Sequence, residues 1–189
     1  VQLVNKLNIN SFDAAARSLA VDRCKACIDE AVEMGAVGVA CLSGPDPGPE
    51  RRNEAKELVF DSLSQLCAHA EKLGSIKVVV ETFDQDIDKK ALVGPNAEAA
   101  VLSARLREKH KNFGLMLDLS HLPLQHETIE HALTVTKDHL VHAHMGNCVM
   151  RDKNHPAYGD QHPRFGVPGG ENDVPQVVEY IRTLIKIDY

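Results

Sequence analysis

No tryptophan occurs in this chain, and aromatic residues make up only 4% of it. Base stacking is therefore a poor route to a nucleic-acid partner. A surplus of positive charge is missing as well: 21 Lys and Arg stand against 27 Asp and Glu, a net charge of -6. That balance argues against a general grip on phosphate backbones or anionic membrane surfaces. No apolar run approaches the roughly 20 residues needed to span a bilayer. No basic, apolar and small-residue signal segment opens the chain. It begins at Val1 rather than Met, so a missing amino-terminal part is expected. The five cysteines are odd in number and irregularly spaced, which excludes a disulfide framework and fits a reducing cytoplasm. Cys24 and Cys27 form a C-x-x-C inside a helical pattern, with no preceding turn and no second pair, and are read as helix thiols. Also absent are G-x-G-x-x-G and the Walker loop, the nucleotide fingerprints of open α/β sheets. The acidic run Asp84 to Asp88 lacks the glycine and distal glutamate of a calcium loop.

What is present is regular alternation. The 189 residues are 43% hydrophobic and 25% charged, enough for one core and a single domain over residues 1–189. Residues 1–10 are ambiguous. Helical spacing then runs from Ser11 to Gly35, with Leu19, Cys27, Ile28, Ala31 and Val32 near a period of 3.6. Ala36 to Leu42 reads as a buried strand ending in the proline- and glycine-rich stretch 43–49. Glu50 to Leu73 is a second helix closed by Gly74, and Ile76 to Thr82 the next strand. Residues 83–95 form an acidic loop, Asn96 to His110 a helix, Phe113 to Asp118 a strand, Glu127 to Lys137 a helix and His139 to His144 a strand. Cys148 to Glu171 is a long turn-rich loop, of the kind that is usually functional or disordered. Asp173 to Lys186 is a last helix, with Asn172 or Asp173 as N-cap and Pro175 in the first turn. Buried-type strands alternating with helices imply parallel βα units, in an open doubly wound sheet or a (β/α)₈ barrel.

Several strand ends carry metal-binding side chains. VVVETFD places Glu81 after Val78–Val80, GLMLDLSH places Asp118 and His121, and LVHAHMGN places His144. Active sites of such barrels collect at the carboxyl ends of the strands. Taken alone, Glu81 also reads as a carboxylate that caps the next loop or meets a lysine. Asp118 with His121 also reads as an Asx turn with the imidazole on the surface. Of the two histidines on the fourth strand, His144 is taken for the site because it lies nearest the strand end. His142 is expected on the opposite face, packed among helices. Asp160 and His162, two apart in the long loop, read either as ligands or as a solvent-exposed pair. His69, His110, His126, His131 and His139 are expected on the surface. Mixed carboxylate and imidazole donors without thiolates suit Mn²⁺, Co²⁺, Zn²⁺ or Mg²⁺.

These motifs carry a resemblance. CLSGPDPG (41–48), VVVETFD (78–84), LMLDLSHLPL (115–124), HAHMGN (142–147) and GDQHPRFGVPGG (159–170) together resemble the sugar phosphate isomerase/epimerase family. Its members are xylose-isomerase-like TIM barrels related to endonuclease IV. The resemblance implies a (β/α)₈ barrel. Since a full barrel takes about 250 residues, this chain is expected to be incomplete, lacking early strands and the last one. It implies one metal held by a Glu, an Asp, a His and a final Glu on successive strands. Glu81, Asp118 and His144 match the first three, and the fourth is expected on a strand after Tyr189. In the endonuclease IV branch, counterparts of His121, Asp160 and His162 help to hold further ions.

The function expected is a divalent-metal-dependent isomerase or epimerase of a small sugar, keto-sugar or related polyol. Glu81, or the glutamate beyond Tyr189, would abstract the proton next to a carbonyl, through a metal-stabilised enediolate. His121 would hydrogen-bond a substrate oxygen. Arg151 is a candidate for orienting a hydroxyl or phosphate, against the alternative of a solvent-exposed loop arginine. Neither nucleic acid nor membrane is expected as a partner. A homo-oligomer is, because missing strands would leave a sheet edge exposed. The rival readings are an endonuclease IV-like phosphodiesterase, a keto-inositol dehydratase and a barrel remnant without catalysis.

Overall fold

Strand and helix alternate along the chain because valine-rich and leucine-rich runs are separated by turn residues at almost every junction. The computed structural model describes residues 1–74 and 76–189. Its elements are α1 (Ala14–Glu33), β1 (Gly38–Cys41), α2 (Arg52–Leu73), β2 (Lys77–Glu81), α3 (Asn96–Lys109), β3 (Phe113–Asp118), α4 (His121–Leu124), α5 (Ile129–Thr136), β4 (Leu140–His144) and α6 (Val174–Lys186). The expected elements are all found, with ends shifted by a few residues; the four-residue helix α4 was not anticipated. Asp13, Thr128 and Asp173 cap α1, α5 and α6 through their side chains, and Asp173 with Gln176 completes a capping box. Gly35 follows α1 with φ 73°, a left-handed conformation that glycine adopts without a Cβ clash. Residues 1–10 form turns. The Gln2 amide there donates to Leu42 O at 3.0 Å and accepts from Leu42 N at 2.9 Å, imitating a strand neighbour at the end of β1.

The four strands form one parallel sheet in the order β1-β2-β3-β4. This is an incomplete (β/α)₈ barrel, an arc with its helices on the outside. The outward residues Val78, Val80, Phe113, Leu115, Leu117 and Leu140 join the helices in the core cluster. Tyr180 of α6 is fully buried, and its hydroxyl donates to Leu117 O at 3.0 Å, fixing that helix to β3. The inner face is different. Both faces were expected to be buried, yet Val37 is 86% exposed and Ala40, His142 and His144 are exposed too. They line, with Val79 and Met116, an open cavity of about 470 Å³ on the concave side of the sheet.

His142 lies on that concave side, which corrects the expectation that it faces the helices. Two residues apart on a strand means the same face, not opposite ones. A β-bulge sets which face it is. Leu115 pairs with Leu140 but Met116 with His142, so β4 carries one more residue than β3 over this step. Val141 and His142 consequently both line the cavity, and the bulge re-aims the rest of the strand. Gly114 makes room for it, since a Cβ there would lie 2.4 Å from Val141. The surface expectation also fails for His110. It is 8% exposed and is bonded to Ser64 Oγ at 2.7 Å and Glu71 Oε1 at 3.1 Å.

Candidate metal centre

Glu81, Asp118 and His144 are the last residues of three adjacent parallel strands. In the β3–β4 register Asp118 sits directly opposite His144, with Asp118 Oδ2 3.6 Å from His144 Nδ1. One donor atom from each of the three residues lies within 4.8 Å of the others, a spacing at which one ion can be held. The Glu81 and Asp118 side chains are 15% and 3% exposed, so this charge is largely withdrawn from water.

The two carboxylates are held differently. Asp118 Oδ1 accepts from Ser120 N and from Ser120 Oγ, both at 2.7 Å. Asp118 Oδ2 and both Glu81 oxygens accept no hydrogen bond from any described residue. Carboxylate oxygens act only as acceptors, and a divalent cation would take these undonated ones. Burial, with Asp118 and Asp160 adding to it, pushes the Glu81 carboxyl up to about 7 despite His121 and Lys89. Gly146 belongs to the fit as well, since a Cβ there would come within 3.0 Å of Asp118 Oδ1.

His121, Asp160 and His162 form an adjoining cluster. His121 is buried, with Nδ1 3.0 Å from Thr82 O and Nε2 3.1 Å from Asp160 Oδ1. Both partners are acceptor oxygens, an arrangement that favours a ring protonated on both nitrogens. Burial opposes that charge, but the bond to Asp160 and the charges of Asp160, Glu81 and Asp118 raise the proton affinity overall. Asp160 is held below the usual carboxylate range: burial opposes this, and bonds and charges from His121 and Lys89 outweigh it. His162 Nε2 lies 2.8 Å from Asp160 Oδ1 and 2.9 Å from Ser120 Oγ. Ser120 gives its own proton to Asp118, so its oxygen accepts from His162. His162 has φ 46°, a left-handed conformation uncommon for a non-glycine residue. Asp118, His121 and His162 form a second group at ligand spacing, but here both nitrogens of His121 are already engaged.

The long loop thus delivers Asp160 and His162 to the strand ends, and Asp160 is not the exposed loop residue of the alternative reading. Its base is tied by Asn172, whose Nδ2 donates to Leu119 O at 2.9 Å and Gly146 O at 3.1 Å. Arg151 is exposed to solvent. Its side chain is 81% exposed and paired with Glu171 at 2.8 Å.

Sequence reasoning missed four residues. Ser120 links Asp118 to His162. Lys89 bonds Asp160 Oδ2 at 3.0 Å, and Asp88 Oδ2 accepts from Asp160 N at 2.8 Å. His142 Nε2 lies 3.0 Å from His144 Nε2. Ser120 stands inside a quoted motif and was within reach. Lys89 and Asp88 come from a loop shaped by Asp84, whose carboxylate accepts from the backbone N–H of Ile87, Asp88 and Lys89 at 2.8, 2.7 and 3.0 Å. No local pattern shows which distant loop such residues will meet.

No curated protein sequence matches the chain significantly. Among solved structures it is similar in fold to a D-psicose 3-epimerase determined in the presence of D-fructose, with TM-score 0.75 and 16% identity over 97% of this chain and 57% of that one. A D-tagatose 3-epimerase-like protein gives TM-score 0.75 and 21% identity over 97% of this chain and 64% of that one. An AP endonuclease of family 2 from Brucella melitensis gives 0.69 and 16% over 96% and 62%. At such identities the likeness is one of fold, and the chain spans less than two thirds of each of these structures. Parallel strands with donors at their carboxyl ends, and a match of residues 2–189 to the family model, place this chain in the xylose isomerase-like TIM barrel family.

Proposed function

We propose that the protein is a divalent-metal-dependent isomerase or epimerase of a small sugar, keto-sugar or related polyol, with residues 1–189 acting as one partial barrel domain. The observation that carries this reading is that Glu81, Asp118 and His144, at three adjacent strand ends, each offer one donor atom within 4.8 Å of the others. Two carboxylates and an imidazole without thiolate suit Mn²⁺, Co²⁺, Mg²⁺ or Zn²⁺. Glu81, Asp118 and His144 would hold the ion. Such an ion polarises a carbonyl and a neighbouring hydroxyl and offsets negative charge that develops there.

The chain supplies the proton chemistry. Glu81 takes the proton from the carbon next to the carbonyl and returns it to the neighbouring carbon in an isomerisation; return to the opposite face, an epimerisation, needs a second proton donor across the substrate. His121, with Nδ1 3.6 Å from Glu81 Oε1 and both ring nitrogens held by Thr82 O and Asp160 Oδ1, sets the charge beside the Glu81 carboxyl rather than donating to substrate. Asp160, through its hydrogen bond and its charge, favours the protonated form of His121. Sugar epimerases among the structures of similar fold support the substrate class.

A second reading, an endonuclease IV-like phosphodiesterase, is favoured by the group Asp118, His121 and His162. Against it stand the two engaged nitrogens of His121 and the net charge of -6. One experiment separates the two. The Mn²⁺-loaded protein is offered a panel of keto-sugars in D₂O, and abasic duplex DNA in parallel. Deuterium should appear beside the carbonyl, and Glu81→Gln, which cannot accept a proton, should lose both turnover and exchange at saturating metal. Efficient exchange by Glu81→Gln would remove Glu81 as the base. Cleavage of the duplex without sugar exchange would replace the reading with the second one.

A further inference from the structure

We infer that His142 is a positioning residue that fixes the tautomer and ring orientation of His144. The inference rests on the metal site proposed above. His144 presents Nδ1 to Asp118 Oδ2 at 3.6 Å, so Nδ1 is the nitrogen that faces the donor group. An imidazole that ligates through Nδ1 is neutral and carries its proton on Nε2. That Nε2 lies 3.0 Å from His142 Nε2, with the rings in an edge-on arrangement at 76°. Two neutral rings can share this contact in only one productive way, with one Nε2–H donating to the lone pair of the other. His144 must be the donor if its Nδ1 is to remain free for a cation. His142 is then the acceptor and carries its own proton on Nδ1.

Metal-ligating histidines generally give their second N–H to a fixed acceptor, which sets the tautomer and raises ligand basicity. A carboxylate or a backbone carbonyl is the usual partner. Here the β-bulge that turns both histidines to the concave face supplies a second imidazole instead. The alternative, with both Nε2 atoms ligating one ion of their own, lacks support: His142 belongs to no group of three donors among the described residues.

The test measures Mn²⁺ affinity and stoichiometry for the parent protein, His142→Leu, His142→Gln and Asp118→Ala. It also measures ring-nitrogen NMR shifts of the metal-free parent. His142→Leu should bind one ion about 10- to 100-fold more weakly, with the thermal unfolding midpoint little changed. His142→Gln, whose amide oxygen can accept the same N–H, should recover most of the loss. The shifts should place the proton on Nε2 of His144 and on Nδ1 of His142. Unchanged affinity in His142→Leu beside a large loss in Asp118→Ala would overturn this inference and leave the metal site standing. Unchanged affinity in both would overturn the two together. A second ion lost in His142→Leu would show that the imidazole pair itself is a ligand, which contradicts the assigned hydrogen bond.

Discussion

Glu81 carries a carboxyl that burial pushes up to about 7. Between about pH 4.5 and 7 the folded chain keeps this proton while the unfolded chain has released it, so the stability of the metal-free protein falls as pH rises through that window. The loss is at most roughly 3 kcal/mol, at about 1.4 kcal/mol per pH unit. His121 acts in the same direction: its proton affinity is raised, so its stabilising contribution is complete at low pH and fades on the alkaline side. Thermal unfolding of chelator-treated protein should therefore show a midpoint that declines from pH 4.5 to 7.5. Glu81→Gln, with nothing to titrate at that position, should show a shallower decline. Saturating Mn²⁺ should cancel the parent's slope, because ions bind the deprotonated carboxylate. Parallel slopes for parent and variant would mean that the Glu81 proton is not coupled to folding. At this scale Glu81, Asp118 and His144 were legible because each closes an apolar strand run. Ser120, Lys89 and Asp88 were not, because their partners are brought to them by two separate loops.

The bulge between β3 and β4 is the device that turns His142 and His144 toward the concave face. Gly114 lies against Val141 beside it, where an added Cβ would come within 2.4 Å. Strand positions were readable from the runs Val78–Val80 and Leu115–Leu117, and helix ends from Asp13, Thr128, Asp173 and the glycines. A bulge leaves no comparable mark, since it depends on what the neighbouring strand presents. This explains why the element was foreseen while the direction of His142 was not. Gly114→Ala should overpack the step and destabilise the fold by about 1–3 kcal/mol. Val141→Ala removes the two methyls in the way, so the double variant should be more stable than the sum of the single losses predicts. Chemical denaturation of the four proteins checks this. Additive losses would show that the Gly114–Val141 contact does not govern the bulge.

Across the whole molecule, three neighbouring parallel strands deliver their last side chains to one place, and two loops close around it. The acidic loop contributes Asp88 and Lys89, the long loop contributes Asp160 and His162, and the pairing of Lys89 with Asp160 joins them. The alternation of elements was enough to foresee the parallel sheet and the edge at which the site lies. The open concave face was not foreseen, because continuous valine and leucine runs read as buried on both sides whatever covers them. The central claim is that Glu81, Asp118 and His144 bind one divalent transition metal. Titration of Mn²⁺ into chelator-treated protein, followed by calorimetry, tests it most directly. One ion should bind per chain, and Asp118→Ala and His144→Ala should each weaken it beyond the roughly 100-fold upper end seen for outer-shell partners. Binding of one ion with unchanged affinity in both variants would contradict the account.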